Sequence, residues 1–220
     1  MKIDFHTHTY HSYDCDMKPL NILKLAKERG LDGIIINDHD TIKGGLECKK
    51  MNPYEDLLVI VGAEIRTDIG DVTGIFLKEE IKSRHYKDVV NEIKSQGGIS
   101  ILNHPFVQHK LEWVDFSVFD FIEGYNGRLN PEQNQKAIQL ANTHGKLIIA
   151  GSDAHTYSEI ANCYSIIDNE ESLIPIEHFY KKCSNMAPIK SQLIKARKHK
   201  DLLLFLKILL GAPRKIMGLK

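Results

Sequence analysis

Short apolar runs alternate with stretches of helical periodicity along most of the chain. The runs are rich in Ile, Val and Leu and predict strands that are buried on both faces of a parallel sheet. They cover residues 2–5, 33–37, 57–65, 71–77, 99–103, 121–125, 147–150 and 164–167. Helical periodicity predicts helices over residues 20–30, 41–50, 86–96, 131–144 and 176–182. This alternation is typical of an α/β barrel, in which residues that follow the strands build a site on one rim.

Side chains that can bind metal ions follow or end nearly every predicted strand. His6 and His8 are separated by one residue on an extended backbone, so both imidazoles leave the same face. The further candidates along the chain are Asp14, Asp38, His39, Glu64, His104, Asp153 and His155. Each of them alone could cap a helix or lie in a turn. Their joint position past the strand ends predicts one shared cluster.

This candidate ligand set consists of imidazoles and carboxylates without thiolates. Such a set suits Zn²⁺, Mn²⁺ or Fe²⁺, and it has more members than one ion needs, which predicts two or three divalent ions. A carboxylate such as Glu64 or Asp153 could bridge two ions about 3.5–4 Å apart that hold a shared hydroxide. Ions in this arrangement lower the pKa of bound water and neutralise charge on a transferring phosphoryl group.

Four motifs, in this order, resemble the PHP (polymerase and histidinol phosphatase) domain, a superfamily of metal-dependent phosphoesterases. The motifs are Asp4-Phe-His6-Thr-His8, Asn37-Asp38-His39-Asp40, Ala63-Glu64 with Asn103-His104-Pro105, and Gly151-Ser-Asp153-Ala-His155. The resemblance covers residues 1–168. It implies a distorted, TIM-like (β/α)7 barrel of seven strands whose site holds two or three divalent ions.

The resemblance also implies a role for each ligand. The first ion would be held by His6, His8, Glu64 and Asp153. A second ion would share Glu64 and take His104, and the third would be held by Asp14, His39 and His155. Other members can have histidine at the position of Asp14, and some supply a further histidine to the second ion from a loop that here, at residues 123–128, has none. We expect Glu64 and Asp153 to take part in catalysis.

A phosphate ester also needs cations that bind the phosphoryl oxygens remote from the metal ions. Bidentate arginines suit this role. Arg128, in the loop after a predicted strand, is the first candidate for substrate binding, and Arg66 and Arg84 are weaker ones. A solvated loop arginine is an equally good interpretation of each. His11, His85 and His109 receive no role and are expected at the surface or behind the ligands.

Residues 186–220 differ from the predicted barrel domain of residues 1–185 in charge and in pattern. They contain nine Lys or Arg residues and one acid, Asp201, so their formal charge is near +8 and that of the remainder near −8. Apolar residues lie all around this predicted helical extension, which therefore has to bury itself. Packing against its own barrel is the preferred interpretation. Contact with a second subunit, an anionic membrane or a nucleic acid stays open.

Composition adds little to this picture. The formal charges balance over 220 residues, as in an ordinary globular domain. The four cysteines lie far apart without a C-x-x-C pair, which argues against a disulfide framework and favours the reduced cytoplasm. We expect no signal peptide, since no basic segment followed by an apolar one precedes the first strand. The longest apolar block, residues 202–210, is too short to span a bilayer.

The resemblance and the ligand set together predict an enzyme that hydrolyses a phosphomonoester by attack of metal-bound hydroxide. The expected substrate is a small metabolite phosphate, a nucleotide or an oligonucleotide end, and the basic extension slightly favours the last two. Two alternatives stay open. One is an amidohydrolase-like enzyme that acts on an amide or a lactone, and the other is a metal-binding PHP module without catalytic activity.

Overall fold

The computed structural model describes the backbone of residues 1–169 and 173–216. The strands are β1 (Lys2–Thr7), β2 (Gly33–His39), β3 (Leu58–Arg66), β4 (Asp71–Ile75), β5 (Ile99–Leu102), β6 (Phe121–Asn126), β7 (Leu147–Gly151), β8 (Cys163–Ile167) and β9 (Pro175–Tyr180). The α-helices are α1 (Pro19–Glu28), α2 (Lys43–Met51), α3 (Tyr86–Ser95), α4 (Pro131–Thr143), α5 (Met186–Lys198) and α6 (Leu202–Ile216). Among the helices in these ranges, none has the length and apolar character needed to cross a bilayer.

Strands β1 to β8 follow one another around a barrel, and β8 pairs with β1 to close it. Six strands run in one direction, whereas β4 and β8 run antiparallel to their neighbours. Two registered pairs join β1 to β8, namely Lys2 with Ile166 and Ile3 with Ser165. In the described part of the chain, β7 and β8 share one registered pair, Gly151 with Tyr164. We call this sparsely paired junction of β7, β8 and β1 the closure seam.

The predicted α/β barrel is confirmed, although its closed sheet has eight strands where the resemblance implies seven. The predicted helix over residues 176–182 is wrong, because Pro175–Tyr180 forms β9 alongside β8. Along β9, half-buried and exposed residues alternate over much of its length, as expected for a strand with one covered face. The run is too short for its periodicity alone to separate a strand from a helix.

Three apolar clusters hold the barrel together. One fills its interior with inward-facing strand residues: Ile3, Phe5, Ile35, Ile60, Ile75, Ile101, Phe121 and Ile149. The other two pack the helices onto the outside, with Val89 and Ile93 of α3 in one and Ile22 and Leu23 of α1 in the other. Burial of each such side chain contributes about 1.5–3 kcal/mol. The interior cluster fills the lower part of the barrel and leaves its upper rim to polar residues.

The C-terminal extension packs on the barrel through α5 and much less through α6. Ala187, Ile189 and Ala196 of α5 are buried, as expected. On α6, however, Leu202 and Leu210 are 71% and 82% exposed, so the expected burial does not extend to these residues. The division into a barrel domain of residues 1–185 and an extension of residues 186–220 stays a prediction.

Candidate metal centre

The candidate ligands continue the inward-facing rows of the barrel strands. Side chains alternate along a strand, so positions two apart share a face. On β3 the interior residue Ile60 is followed at this spacing by Glu64, and on β2 Ile35 is followed by His39. His39 and Glu64 are registered partners in the parallel pair of β2 and β3. Each inward row thus changes from apolar to polar at the carboxyl end of its strand, where barrel enzymes place their sites.

A bulge in β1 brings both of its histidines into the barrel. Asp4 is registered with Ile34 and Thr7 with Ile36, so β1 has one residue more than β2 in this interval. An extra residue reverses the alternation of side chains. His6 can therefore face inward directly after Phe5, and His8 shares its face. Without the bulge, the inward row that begins with Ile3 and Phe5 would continue to Thr7 instead.

Glu64 lies at the centre of the cluster and is 1% exposed. Its Oε1 atom is 2.9 Å from Nε2 of His104. Its Oε2 atom is 3.0 Å from Nδ1 of His39, and 3.6 and 3.5 Å from Nε2 of His6 and His8. One carboxylate that reaches four imidazoles is in position to bridge between neighbouring cations.

Two further carboxylates complete the cluster. Asp153 Oδ1 lies 3.5 Å from Nε2 of His8 and 3.3 Å from Nδ1 of His155. Asp14 Oδ1 lies 3.2 Å from Nε2 of His155 and 3.4 Å from Nε2 of His39. All eight residues predicted as ligands are therefore brought together at one end of the barrel. Six of them are less than 10% exposed: His6, His8, Asp14, Glu64, His104 and His155.

Hydrogen bonds behind the cluster orient the two histidines of β1. Nδ1 of His6 is 2.8 Å from Glu123 Oε1. Nδ1 of His8 is 3.0 Å from the hydroxyl of Ser12, which itself donates to Asp38 Oδ1 at 2.6 Å. Because each Nδ1–H is donated outward, the lone pair of each neutral imidazole is on Nε2 and points into the cluster. The two Nε2 atoms are 3.1 Å apart.

This arrangement fits divalent cations. Two imidazole lone pairs that face each other at this distance repel unless a proton or a metal ion lies near both. Asp14 Oδ1 and His104 Nδ1 are also buried without a hydrogen-bond partner among the described residues. In the part of the chain that the structure describes, four groups have potential ligand atoms within 4.8 Å of one another: His8, His39 and His155; His6, His8 and Glu64; His6, His104 and Asp153; and Glu64, Asp71 and His104. These nitrogen and oxygen donors suit Zn²⁺, Mn²⁺ or Fe²⁺.

In the metal-free protein, protons compete for the same positions. Burial lowers the pKa of His39, but Glu64 and Asp14 outweigh it and raise this pKa to about 10. For His104, hydrogen bonding and charge interaction with Glu64 likewise outweigh burial and raise the pKa to about 9. Burial together with the charges of His155 and His39 holds the pKa of His8 well below its usual range. A cation that binds here would replace protons on the first two residues.

Two of the candidate ligands lie in backbone conformations that residues other than glycine seldom adopt. The φ angle of Asp153 is 52° and that of His104 is 23°. Positive φ is uncommon for residues other than glycine, and such positions cluster at functional sites. Each residue lies two positions beyond the end of a strand, His104 after β5 and Asp153 after β7. This conformation directs each side chain back over the barrel.

Sequence reasoning missed two acids of this site. Glu123 is 1% exposed and accepts hydrogen bonds from the backbone N–H of His104 and from Asn126, besides its contact with His6. Asp71 forms a ligand-type group with Glu64 and His104. It begins β4, and because β4 runs antiparallel to β3 and β5, its first residue lies at the same rim as their ends. The inward row from Phe121 to Glu123 could have indicated the first acid.

The three candidate arginines lie in different surroundings. Arg128 is largely buried, and its Nε donates to Glu159 Oε1 at 2.8 Å and its Nη2 to Ser191 at 3.1 Å. Arg66, at the end of β3, is 53% exposed and pairs with Asp71. Arg84 is 51% exposed and lies 3.4 Å from Asp40. Burial and a fixed orientation separate Arg128 from the other two.

The histidines without an assigned role lie outside the cluster. His11 bonds to Glu47 at 2.8 Å, and His85 is 54% exposed. His109 lies behind the ligands, with its ring edge toward His104 at a centroid distance of 5.8 Å. Its Nδ1 bonds to the carbonyl oxygen of Val107. These positions agree with the expectation of surface or supporting residues.

Comparisons with known proteins agree with this fold and motif order. Residues 131–174, which contain α4, β7 and two of the ligands, match the family model described as PHP-associated. An uncharacterized protein of Methanocaldococcus jannaschii is 39% identical over 117 residues, which cover 48% of this chain and 68% of that protein. The relationship therefore extends over two thirds of the relative.

Two solved structures show the same fold. One is a two-domain protein of Bacteroides vulgatus that contains a predicted PHP-like metal-dependent phosphoesterase, with 24% identity and a TM-score of 0.64. The match covers 75% of this chain and 58% of that protein, so the chain spans little more than half of its length. The other is an amidohydrolase of Chromobacterium violaceum with bound sulfate and no metal, with 15% identity, a TM-score of 0.58 and coverage of 73% and 89%.

At these identities the two structures establish the barrel fold, while the sequence relationships carry the family. The PHP-associated segment coincides with the part of the chain that supplies Asp153 and His155. The four motifs occur in the expected order and converge on one rim. Together with the relative from M. jannaschii, they show that the chain belongs to the PHP-domain family.

Proposed function

We propose that this protein is a metal-dependent hydrolase and, more specifically, a phosphoesterase that acts on phosphomonoesters. The observation that carries the proposal is the convergence of imidazole and carboxylate ligands on one rim, with the Nε2 atoms of His6 and His8 facing each other at 3.1 Å. The name of the similar B. vulgatus structure, a predicted PHP-like metal-dependent phosphoesterase, supports it. We propose that the site binds two or three divalent ions, and that the metal is Mn²⁺, Zn²⁺ or Fe²⁺.

The residues divide into groups with different tasks. His6, His8, Glu64 and Asp153 would hold one ion, Glu64 and His104 a second, and Asp14, His39 and His155 a third. Asp71 is an additional donor for the second ion, since it belongs to the same ligand group as His104. When bound, such ions supply a water of lowered pKa and positive charge for the phosphoryl oxygens. Glu64 and Asp153 each contact several imidazoles, which places them to hold neighbouring ions at a fixed separation.

Arg128 is proposed to bind the substrate. It lines a cavity of about 730 Å³ between the barrel rim and the extension. Glu159 and Ser191 hold Nε and Nη2, while Nη1 has no hydrogen-bond partner among the described residues. The guanidinium is thus oriented and keeps donors for a phosphoryl oxygen. Its loop is linked to the metal centre through Asn126, which donates to Asp153 Oδ2 at 3.2 Å.

The same cavity is proposed to receive the part of the substrate that leaves with the ester oxygen. Its walls include apolar side chains of both the rim and the extension: Val107, Pro188, Ile189, Leu204 and Ile208. Cavities of about 300–1,000 Å³ hold ligands of the size of a nucleotide or a small metabolite. A small phosphate ester or a nucleotide therefore fits the available space, and an oligonucleotide end would extend beyond it.

A second candidate function is hydrolysis of an amide or a lactone. The observation that favours it is the similar fold of the C. violaceum protein, which is named an amidohydrolase. That protein binds sulfate, a tetrahedral oxyanion with the shape of a phosphoryl group. The tetrahedral ligand supports the phosphoester proposal more than the amide alternative.

Release of inorganic phosphate tests the proposal. Protein loaded separately with Mn²⁺, Zn²⁺ and Fe²⁺ is assayed on nucleoside monophosphates, on oligonucleotides with terminal phosphates and on small metabolite phosphates, and in parallel on amides and lactones. We expect phosphate release that chelation abolishes and that His39→Ala removes without loss of fold. Turnover of amides or lactones alone would support the second candidate. Bound metal without turnover of any substrate would indicate a non-catalytic module.

A further inference from the structure

The loop of residues 8–18, which we call the Asp14 loop, carries one ligand of the proposed third ion but has no regular secondary structure of its own. Asp14 is 6% exposed, and its Oδ1 atom lies between the Nε2 atoms of His39 and His155. The ring of Tyr13 stacks on that of His39, with centroids 4.4 Å apart and an angle of 8° between the planes. The position of the ligand therefore depends on the conformation of this loop.

The last turn of α5 holds the Asp14 loop from outside. Nζ of Lys198 donates to three backbone carbonyl oxygens of the loop: Tyr10 at 2.7 Å, Ser12 at 2.8 Å and Cys15 at 2.6 Å. An ammonium group has three N–H donors, so these carbonyl groups use all of them. The three acceptors lie on both sides of Asp14 in the sequence, so one ammonium group contacts the loop before and after this residue.

Two other residues of α5 contact the same loop. Nη2 of Arg197 donates to both carboxylate oxygens of Asp16, at 2.7 and 2.6 Å. Nζ of Lys195 lies 4.6 Å from the ring centroid of Tyr13, the residue that stacks on His39. Lys195 and Lys198 are three positions apart and hence lie on one face of the helix. That face is directed at the loop.

General docking of the extension is the simpler explanation, but it does not account for Lys198. The ion pair of Arg197 and Asp16 is exposed, and pairs of this kind contribute little to stability. Lys198 instead donates its hydrogen bonds to carbonyl oxygens of the loop. Its ion pair with Asp16 is longer, at 3.7 Å, and its side chain is 26% exposed. Its bonds specify where the backbone on both sides of Asp14 lies.

We propose that Lys198 is a positioning residue for the metal centre: it fixes the conformation of the Asp14 loop and so places Asp14 against His39 and His155. The C-terminal extension thereby becomes part of the metal centre without supplying a ligand. Loss of Lys198 should weaken the third ion selectively. Among the ligands of the first ion, His6 and Glu64 lie on β1 and β3, and His8 and Asp153 lie within two residues of the ends of β1 and β7, whereas Asp14 lies seven residues beyond β1. The inference rests on the proposed metal centre and is independent of the substrate.

Metal binding by the wild type and four purified variants tests this inference. Lys198→Met removes the ammonium group and keeps most of the apolar stem. Lys190→Met is the matched control, because Lys190 lies on the same helix, is exposed and has no bond among the described residues. Asp14→Ala removes the ligand itself, and the fourth variant is the double variant Asp14→Ala with Lys198→Met. The readouts are metal content by mass spectrometry and Mn²⁺ titration by calorimetry.

We expect Lys198→Met to bind one ion at least tenfold more weakly, with the remaining ions and the circular dichroism unchanged. Lys190→Met should match the wild type, and the double variant should bind no worse than Asp14→Ala, since both changes act on one ion. Equal binding by Lys198→Met and wild type overturns the inference, and so does an additive loss in the double variant. A wild-type protein that binds no metal overturns the metal centre as well.

A milder variant covers the case in which Lys198→Met does not fold. Lys198→Arg keeps the charge but arranges its donors in a planar fork that cannot converge on three carbonyl oxygens in the same way. It should weaken the same ion by a smaller factor. Unchanged binding of every ion by folded Lys198→Arg, together with unfolding of Lys198→Met, would assign the lysine a purely structural role and contradict the proposal.

Discussion

Nδ1 of His6 lies 2.8 Å from Oε1 of Glu123, and both residues are 1% exposed. The carboxylate accepts the Nδ1 proton of the imidazole and so directs the Nε2 lone pair toward the other ligands. Glu123 also accepts a hydrogen bond from the backbone of His104. One buried acid thus contacts a candidate ligand on β1 and another just beyond the end of β5.

Glu123→Gln should weaken metal binding by about 10- to 100-fold, the usual cost of removing a partner behind a metal ligand. The amide lacks the charge and replaces one acceptor by a donor, so it cannot support both His6 and His104. Calorimetric titration with Mn²⁺ measures the effect. Glu112→Gln, an exposed acid in a short turn, is the control and should bind like the wild type. Wild-type affinity of Glu123→Gln would show that the contact does not orient His6.

Metal binding at pH 7 should release more than one proton per protein molecule. The pKa of His39 is about 10 and that of His104 about 9 in the metal-free protein. Both imidazoles are therefore protonated at pH 7 and must lose a proton to bind a cation, so affinity should rise with pH until the pH exceeds these values. Calorimetry in buffers of different ionisation enthalpy counts the protons.

Two variants identify the source of these protons. His39→Ala should reduce the number of protons released. His85→Ala should not, because His85 is exposed and its acidic neighbours, Asp68 and Asp88, are not candidate ligands. A heat of binding that is independent of the buffer in the wild type would contradict the assignment of His39 and His104 as ligands that are protonated before the metal binds.

Arg128→Lys should raise KM for a phosphomonoester about tenfold, equivalent to about 1.4 kcal/mol, and leave the metal content unchanged. A lysine cannot form the planar, bidentate contact with a phosphoryl group. Steady-state kinetics measure the effect, with metal analysis of the same preparation. Arg84→Lys is the control because Arg84 is 51% exposed and pairs with Asp40. An equal rise of KM in both variants would remove Arg128 from the substrate site.

Gly151→Ala should destabilise the closure seam by about 1–3 kcal/mol, the usual cost of overpacking. A Cβ atom at Gly151 would lie 2.8 Å from the backbone nitrogen of His6, so β7 and β1 would have to move apart. Urea unfolding measures the loss. Gly33→Ala, where the nearest atom would be Ile3 Cγ1 at 3.2 Å, should cost less. A larger loss of stability in Gly33→Ala than in Gly151→Ala would show that β7 and β1 can move apart at little cost.

The convergence of the candidate ligands was predictable because their positions follow from strand periodicity and motif order. His39 and Glu64 end continuous apolar runs, and such runs place their last residues at one rim of a barrel. Asp71 was not predictable in this way, because its position at the rim depends on the antiparallel direction of β4. The residue pattern of a strand does not show whether it runs parallel or antiparallel to its neighbours. The bulge in β1 was equally hidden, because an extra residue shows only when β1 is paired with β2.

The extension was the least predictable part. Its charge and apolar pattern indicated a partner, and the partner of α5 is indeed the barrel. The contact itself joins Lys198 to backbone carbonyl groups of Tyr10, Ser12 and Cys15. Every residue has a backbone carbonyl group, so the sequence does not show which of them accept these hydrogen bonds. β9 was predicted as a helix for a related reason, since pairing with β8 outweighs the weak preferences of six residues.

A metal ion bound at the candidate centre would also cross-link the two sides of the closure seam. His6 and His8 lie on one side of the seam, and Asp153 and His155 lie on the other, so an ion shared by His6 and Asp153 would cross-link the first and last thirds of the barrel. A cross-link between residues so distant in the chain removes many conformations from the unfolded ensemble. Chelation should therefore accelerate amide hydrogen exchange in β1 and β8 more than in β2 and β3, whose register is continuous.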